Sequence, residues 1–293
     1  MNTFALVTDS VIDATEEFFQ QEQIDWVPLL FTLDGKTVTD DLGKTVPYHA
    51  FYQALRQGAS VSTSQCTVEN FLIAFSRRLE EGRDVVYIGF SSGLSGNYQA
   101  ACLAANELRE QYPDRQLFCL DSLCAAGGHG LLVRTAQEKR KAGWTAEQTA
   151  RWVEENKKKV IHWFTVDDLF YLQRGGRVSK TAAVVGSLVG IKPILFVDDA
   201  GKLIPHSKVR GRRQSLIALA KNMEKDIVKP ETQVVRISHG DCLEDAQFLR
   251  DYLLKNSKVQ GVEIDTLNTV IGAHSGPGTV ALFFFGKQRY QKG

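Results

Sequence analysis

The segment of this chain best suited to bind an anion is residues 91–99, Ser-Ser-Gly-Leu-Ser-Gly-Asn-Tyr-Gln. It follows an apolar, strand-like run at residues 85–90 and precedes a helix-like run that begins at Ala100. A strand that turns through small hydroxylated residues into a helix brings hydroxyl groups and unpaired backbone N–H groups to one point. Such a corner favours the binding of a negatively charged group.

Two other segments have the same small, polar character. Residues 62–65 read Ser-Thr-Ser-Gln, and residues 272–278 read Gly-Ala-His-Ser-Gly-Pro-Gly. We predict that both are turns, because serine, asparagine, glycine and proline dominate turns. Together with residues 91–99, they predict one anion-binding site built from three parts of the chain.

Motifs for nucleotide binding are incomplete in this chain. Two Gly-Lys-Thr triplets, at residues 35–37 and 43–45, match the end of a P-loop, but Leu30 and Val38 stand where its first glycine is required. Residues 127–130, Gly-Gly-His-Gly, do not form the G-x-G-x-x-G of a dinucleotide site. The sequence therefore predicts no nucleotide cofactor.

Motifs for catalysis are incomplete as well. The serine-hydrolase elbow G-x-S-x-G fits Gly93, Leu94 and Ser95, but Asn97 occupies the place of its second glycine. The six histidines show no close metal-ligand spacing, so we predict no metal site. The chain is better equipped to bind than to react, and we expect no catalytic residue. The alternative is an acyl or phosphoryl transferase that uses Ser95 or His274 as nucleophile.

Composition narrows the class of protein. Lys plus Arg total 35 against 34 Asp plus Glu, which gives no overall attraction to nucleic acid or to an anionic membrane. The five cysteines are scattered without a C-x-x-C pair, as expected for reduced thiols in the cytoplasm. The opening residues do not resemble a signal peptide, and no apolar run is long enough to span a bilayer. We expect a cytoplasmic protein without nucleic acid and without stable membrane insertion.

Apolar runs alternate with segments of helical period through the first half, which predicts an α/β fold with parallel strands. Ligands of such sheets bind beyond the carboxyl ends of the strands. Three polar groups follow predicted strands: Thr8-Asp9-Ser10, the turn at residues 91–96, and Asp121-Ser122. The predicted strands are residues 4–7, 26–33, 85–90 and 117–120, and the predicted helices are residues 14–21, 51–56 and 68–80.

The pattern becomes mixed after the charged helix predicted at residues 145–159. We therefore predict an N-terminal parallel-sheet α/β domain at residues 1–160 and a C-terminal α+β domain at residues 161–293. The predicted strands of the second part are residues 161–166, 193–198, 202–209, 233–238, 262–267 and 279–285, and its helices are residues 169–174, 182–189, 212–227 and 244–255. A hairpin is expected around Asp199-Ala200-Gly201.

Six of these segments together resemble the motifs of the DegV family, in order and over essentially the whole chain. They are residues 8–10, 63–65, 91–96, 121–122, 168–177 and 272–278. The resemblance implies a bacterial two-domain protein that holds a long-chain fatty acid, such as hexadecanoate, between its domains. It further implies that the protein presents this ligand to an ATP-dependent fatty acid kinase, whose product is acyl phosphate for phospholipid synthesis.

The resemblance also assigns residues to roles. Thr63 and Ser95 would donate hydroxyl hydrogen bonds to the fatty-acid carboxylate, and His274 would lie near the same oxygens. The resemblance implies that Ser64, Ser92 and Gly96 support the carboxylate site. It implies that Arg174 and Arg177 lie where a partner docks. From the residues alone, Thr63 is equally well explained as a helix cap or turn residue, and the alternative for Ser95 is the N-cap of the following helix. For His274 taken alone, a turn histidine is the better interpretation.

Two positions depart from the pattern that the family often shows. Cys66 stands where proline is common after Thr-Ser-Gln, and Asn97 stands where threonine is common after Leu-Ser-Gly. Both residues suit a turn, since asparagine tolerates turn geometry well. Ser275 replaces the commoner threonine and keeps its hydroxyl group.

A long acyl tail needs an apolar tunnel. A tail of about 14 methylenes would contribute on the order of 11 kcal/mol before ordering costs. Candidates for the tunnel wall are residues 182–185, 194–196 and 283–285, although ordinary core is the better interpretation of each from sequence alone. A third possible function is a lipid-sensing module that acts without a kinase.

Overall fold

The computed structural model describes residues 4–179 and 190–289. The strands, in chain order, are β1 (Phe4–Asp9), β2 (Ile24–Val27), β3 (Leu30–Leu33), β4 (Lys36–Thr39), β5 (Val61–Ser64), β6 (Asp84–Gly89), β7 (Leu117–Asp121), β8 (Val160–Thr165), β9 (Ile191–Val197), β10 (Leu203–Arg210), β11 (Val234–His239), β12 (Gly261–Thr266) and β13 (Val280–Phe285). The α-helices are α1 (Glu16–Glu22), α2 (Tyr48–Arg56), α3 (Val68–Glu80), α4 (Asn97–Gln111), α5 (Ala126–Lys141), α6 (Ala146–Asn156), α7 (Phe170–Arg174), α8 (Arg212–Asp226), α9 (Leu243–Asn256) and α10 (Thr269–Ser275). Within these two ranges, no helix is long and apolar enough to cross a membrane.

The first half forms the predicted parallel sheet, with strand order β2-β1-β6-β7. Every residue of β1 is buried, as expected for a strand covered by helices on both faces. Because the strands are parallel, the carboxyl ends of β1, β6 and β7 meet at one edge. The α/β prediction is confirmed, and this edge carries Asp9, Asp121 and the turn that follows β6.

A mixed sheet of six strands follows, in the order β10-β9-β8-β13-β11-β12. Successive side chains of its central strands β8 and β13 point to opposite, buried faces of the sheet, as the pleat requires. On one face Trp163 and Leu282 pack with helices α8 and α9. On the other face Phe164 pairs with Ala281 and points toward the first half of the chain. The predicted hairpin of β9 and β10 is confirmed as an antiparallel pair.

A small antiparallel sheet, β4-β3-β5, lies beside α2 and α10 and was not expected. The prediction of one strand over residues 26–33 is wrong, because β2 and β3 belong to different sheets. Pro28 separates them, and proline has no N–H to donate to a ladder. The turn predicted at residues 62–65 is also wrong, since β5 occupies Val61–Ser64. Polar residues on a short edge strand gave no apolar run to detect.

Four further predictions concern a turn, two helices and the domain boundary. Residues 272–278 were expected to form a turn, but α10 continues through Ser275 before Gly276 ends it. The helix expected at residues 145–159 stops at Asn156, and Lys157–Lys159 form a single 3₁₀ turn. The helix predicted at residues 182–189 lies outside the described residues. The domain boundary at residue 160 stays a prediction, although β8, the first strand of the six-stranded sheet, begins there.

Candidate ligand-binding site

A cavity of about 430 Å³ lies where the three sheets approach one another. This volume falls within the roughly 300–1,000 Å³ that is usual for small-molecule sites. Its lining combines polar residues around Thr63 with mostly apolar residues from the six-stranded sheet and from the helices and turns beside it: Leu29, Thr63, Ser64, Gln65, Phe90, Leu94, Ser95, Gly96, Ala125, Ala126, His162, Phe164, Leu172, Arg177, Val197, Leu203, Leu267, Val270, Ile271, His274, Ser275, Thr279, Ala281 and Phe283. Thr63, Ser95 and His274 are therefore brought together, as predicted.

Thr63 and His274 are in direct contact at the polar end. Thr63 lies on β5, which pairs with β3, and His274 lies on the last turn of α10, which packs against both strands. The Thr63 Oγ1 and His274 Nε2 atoms are 2.7 Å apart, a hydrogen bond between two half-buried side chains. The descriptions of Thr63 as a cap or turn residue and of His274 as a turn residue are wrong, because a strand and a helix hold them.

The imidazole of His274 is held neutral. Burial lowers its pKa to about 4, and the positive charges of Arg177 and Arg174 act in the same direction. Its Nδ1 atom is buried and makes no hydrogen bond with any residue in the described ranges. Gly175 lies against this atom so closely that a Cβ there would clash with it. The ring is thus fixed between Thr63 on one side and a glycine backbone on the other.

The third member, Ser95, precedes helix α4. The cap residue of this helix is Gly96, so the interpretation of Ser95 as its N-cap is wrong. Instead the Asn97 backbone N–H donates to Ser95 Oγ at 3.2 Å. Gly96 has no side chain to bind the first N–H groups, and the first turn contains no acidic residue. The positive end of the α4 dipole therefore faces the polar end of the cavity, where it favours an anion.

The turn at residues 91–96 is anchored from both strands beside it. Asp121 Oδ1 accepts the Ser92 N–H at 3.2 Å, and Asp9 Oδ2 accepts the Phe90 N–H at 3.0 Å. The Ser91 hydroxyl donates to the Gly201 carbonyl at 2.9 Å and so ties the turn to the β9–β10 hairpin. The acidic residues predicted at the strand ends hold the turn and do not line the cavity.

The two departures from the family pattern, Cys66 and Asn97, are in contact. The Cys66 backbone N–H donates to Asn97 Oδ1 at 2.9 Å, and Asn97 Nδ2 donates to Asp9 Oδ2 at 2.9 Å. The Asn97 side chain is completely buried. A proline at position 66 has no N–H to donate, so asparagine at 97 and a residue other than proline at 66 form a matched pair.

The remaining assigned residues divide into two groups. Ser64, Gly96 and Arg177 line the cavity, and Arg177 Nε donates to the Leu94 carbonyl at 3.2 Å. Ser92 and Arg174 do not line it. The Ser92 backbone N–H is bound by Asp121, and the exposed Arg174 lies over the Tyr171 ring, 5.0 Å from its centroid.

The apolar wall is one face of the six-stranded sheet. Thr279, Ala281 and Phe283 occupy alternate positions, so about 14 Å separates the first from the last at the usual rise per residue. Of the predicted tunnel segments, Phe283 lines the cavity. Residues 194–196 do not line it, whereas the next residue, Val197, does. Residues 182–185 lie outside the described ranges.

His162 lies beside Phe283 at the far end and was not identified from the sequence. Its Nδ1–H donates to the Val160 carbonyl at 3.1 Å, and its Nε2 accepts the Ala125 N–H at 3.2 Å. Burial holds its pKa well below the usual range. With both nitrogens satisfied it is a neutral ring packed edge-on against Phe283. Its alternation with Phe164 along one strand is the signal that could have revealed it.

The described part of the chain contains no group of three or more His, Cys, Asp or Glu side chains placed to hold a metal ion. The site therefore consists of hydroxyl groups, a neutral histidine, a helix N-terminus and an arginine at one end of an apolar cavity. This arrangement can bind an amphipathic anion.

Comparison with known proteins agrees with the geometry. Residues 3–287 match the sequence model described as "Uncharacterised protein, DegV family". A DegV domain-containing protein of Clostridium perfringens is 41% identical over 286 residues, which cover 98% of each chain. A protein of Thermotoga maritima named fatty acid-binding protein is 33% identical over 283 residues, which cover 94% of this chain and 95% of the relative.

Among solved structures, a DegV lipid-binding protein of Thermotoga maritima superposes with a TM-score of 0.84. It is 31% identical in sequence, and the match covers 98% of this chain and 100% of that protein. Family model, relatives and structure agree over nearly the full length. This chain belongs to the DegV family.

Proposed function

We propose that this protein is a carrier that binds one long-chain fatty acid in the cavity. The carboxylate lies at the end formed by Thr63, Ser95 and His274, and the tail follows the sheet face toward Phe283. The observation that carries the proposal is an apolar cavity with a single polar end, in a family with a relative named fatty acid-binding protein. In this arrangement the ligand lies between the domains proposed at residues 1–160 and 161–293.

The hydrogen bonding of His274 orients the Thr63 hydroxyl toward the ligand. A buried N–H without a partner costs more than a buried lone pair without one, so the proton belongs on Nε2 and not on the unpartnered Nδ1. Nε2–H then donates to Thr63 Oγ1, and the Thr63 hydroxyl proton is left to donate to a carboxylate oxygen. His274 is in this way the residue that positions Thr63.

The length of the apolar face suits a long chain. An extended chain advances about 1.2 Å per bond, so about 14 Å accommodates on the order of 12 carbon–carbon bonds. Burial of the tail supplies most of the affinity, at about 0.8 kcal/mol per methylene. Each hydrogen bond to the carboxylate adds roughly 1.5–3 kcal/mol of binding free energy and fixes which end of the ligand lies beside Thr63 and Ser95.

The alternative, an acyl or phosphoryl transferase, is supported less well by the geometry. A nucleophile of the serine type needs a hydrogen-bonded base, and that base needs an orienting partner. Ser95 Oγ binds the Asn97 N–H, while the Nε2 atom of His274 binds Thr63. The Nδ1 atom of His274 lacks a carboxylate partner in the described ranges. We therefore propose that catalysis belongs to a partner protein.

That partner, in our proposal, is an ATP-dependent fatty acid kinase in the cytoplasm that converts the presented carboxylate into acyl phosphate for phospholipid synthesis. The exposed Arg174 and the half-buried Arg177 lie beside the polar end and are suited to meet an anionic partner or a phosphate. A lipid-sensing module would bind the same ligand without such a partner, and a search for an ATP-binding protein that co-purifies separates the two.

The test begins with organic extraction of the purified protein, followed by mass spectrometry. We expect about one long-chain fatty acid per chain. Thr63→Val should then weaken fatty-acid affinity about 10- to 150-fold, since it removes one hydrogen bond to a charged group. The matched control is Thr32→Val in the neighbouring strand β3, where the hydroxyl binds Thr37. A protein without lipid that turns over an acyl or phosphoryl substrate by itself would overturn the proposal.

A further inference from the structure

Two thiols lie side by side at the edge of the parallel sheet, outside the cavity. Cys102 on α4 and Cys119 on the edge strand β7 have their Sγ atoms 3.4 Å apart. Both side chains are half-buried and both are free thiols, so a small molecule in solution can reach them. The contact joins residues 17 positions apart in the chain and involves no C-x-x-C motif.

The surroundings of the pair make the two thiols unequal. The Arg109 guanidinium, which donates to the Leu117 carbonyl of β7 at 2.7 Å, lies close enough to favour a thiolate. The hydrogen bond from the Cys119 thiol, assisted by Tyr98 and Arg109, lowers the pKa of Cys102. The same hydrogen bond and burial raise the pKa of Cys119. Cys102 is thus the nucleophile of the pair, and Cys119 is the second thiol that can attack it.

We propose that Cys102 and Cys119 form a reversible oxidation site for a small peroxide. The Cys102 thiolate attacks one peroxide oxygen, the O–O bond breaks, and a sulfenic acid and one water form. Cys119 then attacks the Cys102 sulfur, the S–O bond breaks, and the hydroxyl leaves as a second water. The two thiols supply two electrons and two protons, so that hydrogen peroxide is reduced to two waters while one disulfide forms.

The pair is connected to the anion-binding turn through both of its elements. Helix α4 begins at Asn97, two residues after Ser95, and β7 ends at Asp121, which holds the Ser92 N–H. Closing the disulfide shortens the sulfur separation from 3.4 Å to about 2.0 Å and draws α4 toward β7. We expect oxidation to change the affinity for the fatty acid by moving Ser95. This expectation rests on the proposed function.

The experiment treats the full-length protein with hydrogen peroxide, blocks the remaining thiols and maps the peptides by mass spectrometry. We expect a link between Cys102 and Cys119 that dithiothreitol reverses. The matched control thiol is Cys242, also half-buried, whose sulfur contacts Thr279 and Arg212 and whose pKa burial raises to about 12. Cys102 should react at least about 10-fold faster than Cys242 with an alkylating reagent, because the thiolate is the reactive form.

Cys119→Ser should leave Cys102 to stop at sulfenic or sulfinic acid, whereas Cys242→Ser should form the disulfide as the wild type does. Over-oxidation of Cys102 in the wild type without a link to Cys119 would overturn the proposal, as would equal reactivity of Cys102 and Cys242. The linkage is measured without any ligand, and the alkylation rates need no variant. Failure of this site is therefore distinguishable from failure of the carrier function, which the extraction tests.

Discussion

The contact between Cys66 and Asn97 predicts that proline at position 66 is damaging beside asparagine at 97 and nearly neutral beside threonine. Cys66→Pro removes the backbone N–H that Asn97 Oδ1 accepts at 2.9 Å. Because Asn97 is completely buried, its amide oxygen is left without a partner or water. An unsatisfied buried acceptor costs about 1–3 kcal/mol in the free energy of unfolding. Cys66→Ala is the matched control, since it removes the thiol and keeps the N–H.

In a background that carries Asn97→Thr, this amide oxygen is absent. Cys66→Pro then strands no acceptor, and we expect it to cost less than about 0.5 kcal/mol relative to Cys66→Ala. Asn97→Thr alone should destabilise the protein by about 2–4 kcal/mol, because Asp9 also loses the hydrogen bond from Asn97 Nδ2 at 2.9 Å. The predicted coupling energy between positions 66 and 97 is therefore about 1–3 kcal/mol.

The assay is urea denaturation of the four variants that combine alanine or proline at 66 with asparagine or threonine at 97. Unfolding free energies from linear extrapolation give the coupling directly. An equal difference between proline and alanine in both backgrounds would refute the reasoning, since it would show that the proline acts through the backbone and not through the hydrogen bond.

Three further predictions concern other parts of the molecule. Burial raises the pKa of Asp13 to about 7, so this carboxyl binds a proton more tightly in the folded than in the unfolded state. Its contribution to stability should be complete below about pH 4 and lost as the pH rises through 7, so the stability difference between wild type and Asp13→Asn in thermal melts should change over this range. Gly175→Ala should displace His274 from Thr63 and weaken fatty-acid binding in a titration, whereas Gly261→Ala, where a Cβ has ordinary contacts, should not. Phe283→Leu should lengthen the far end of the cavity, and extraction with mass spectrometry should show longer acids than in the wild type.

The parallel sheet could be predicted because its strands are continuous apolar runs between helices of clear period. The sheet of β3, β4 and β5 could not, since Thr63 and its neighbours on a short, half-exposed strand look like turn residues. The periodicity of apolar residues carries no information about such a strand. Its position is determined by pairing with the strand of Phe31 and by packing against α10.

At the candidate site, the family resemblance predicted roles for Thr63, Ser95 and His274, and the structure places all three in the lining of one cavity. It did not supply their partners, because the Thr63–His274 hydrogen bond joins residues 211 positions apart. His162 was missed for a related reason: it looks like any histidine in an apolar strand until its register opposite Phe283 is known. Contacts between segments far apart in the chain decide both facts.

The alternation along β13 separates two requirements that would otherwise conflict. Ala281 and Phe283 touch the cavity, while their neighbours Leu282 and Phe284 fill the core beneath α8 and α9. Substitutions on the cavity side can therefore reshape the space for a ligand without disturbing the packing beneath α8 and α9. Inserting one residue in this strand would move the cavity-facing side chains to the core face and the core side chains to the cavity. The shape of the cavity and the packing beneath α8 and α9 would both be lost. We therefore expect this strand to accept substitutions at its cavity-facing positions but not a change in length.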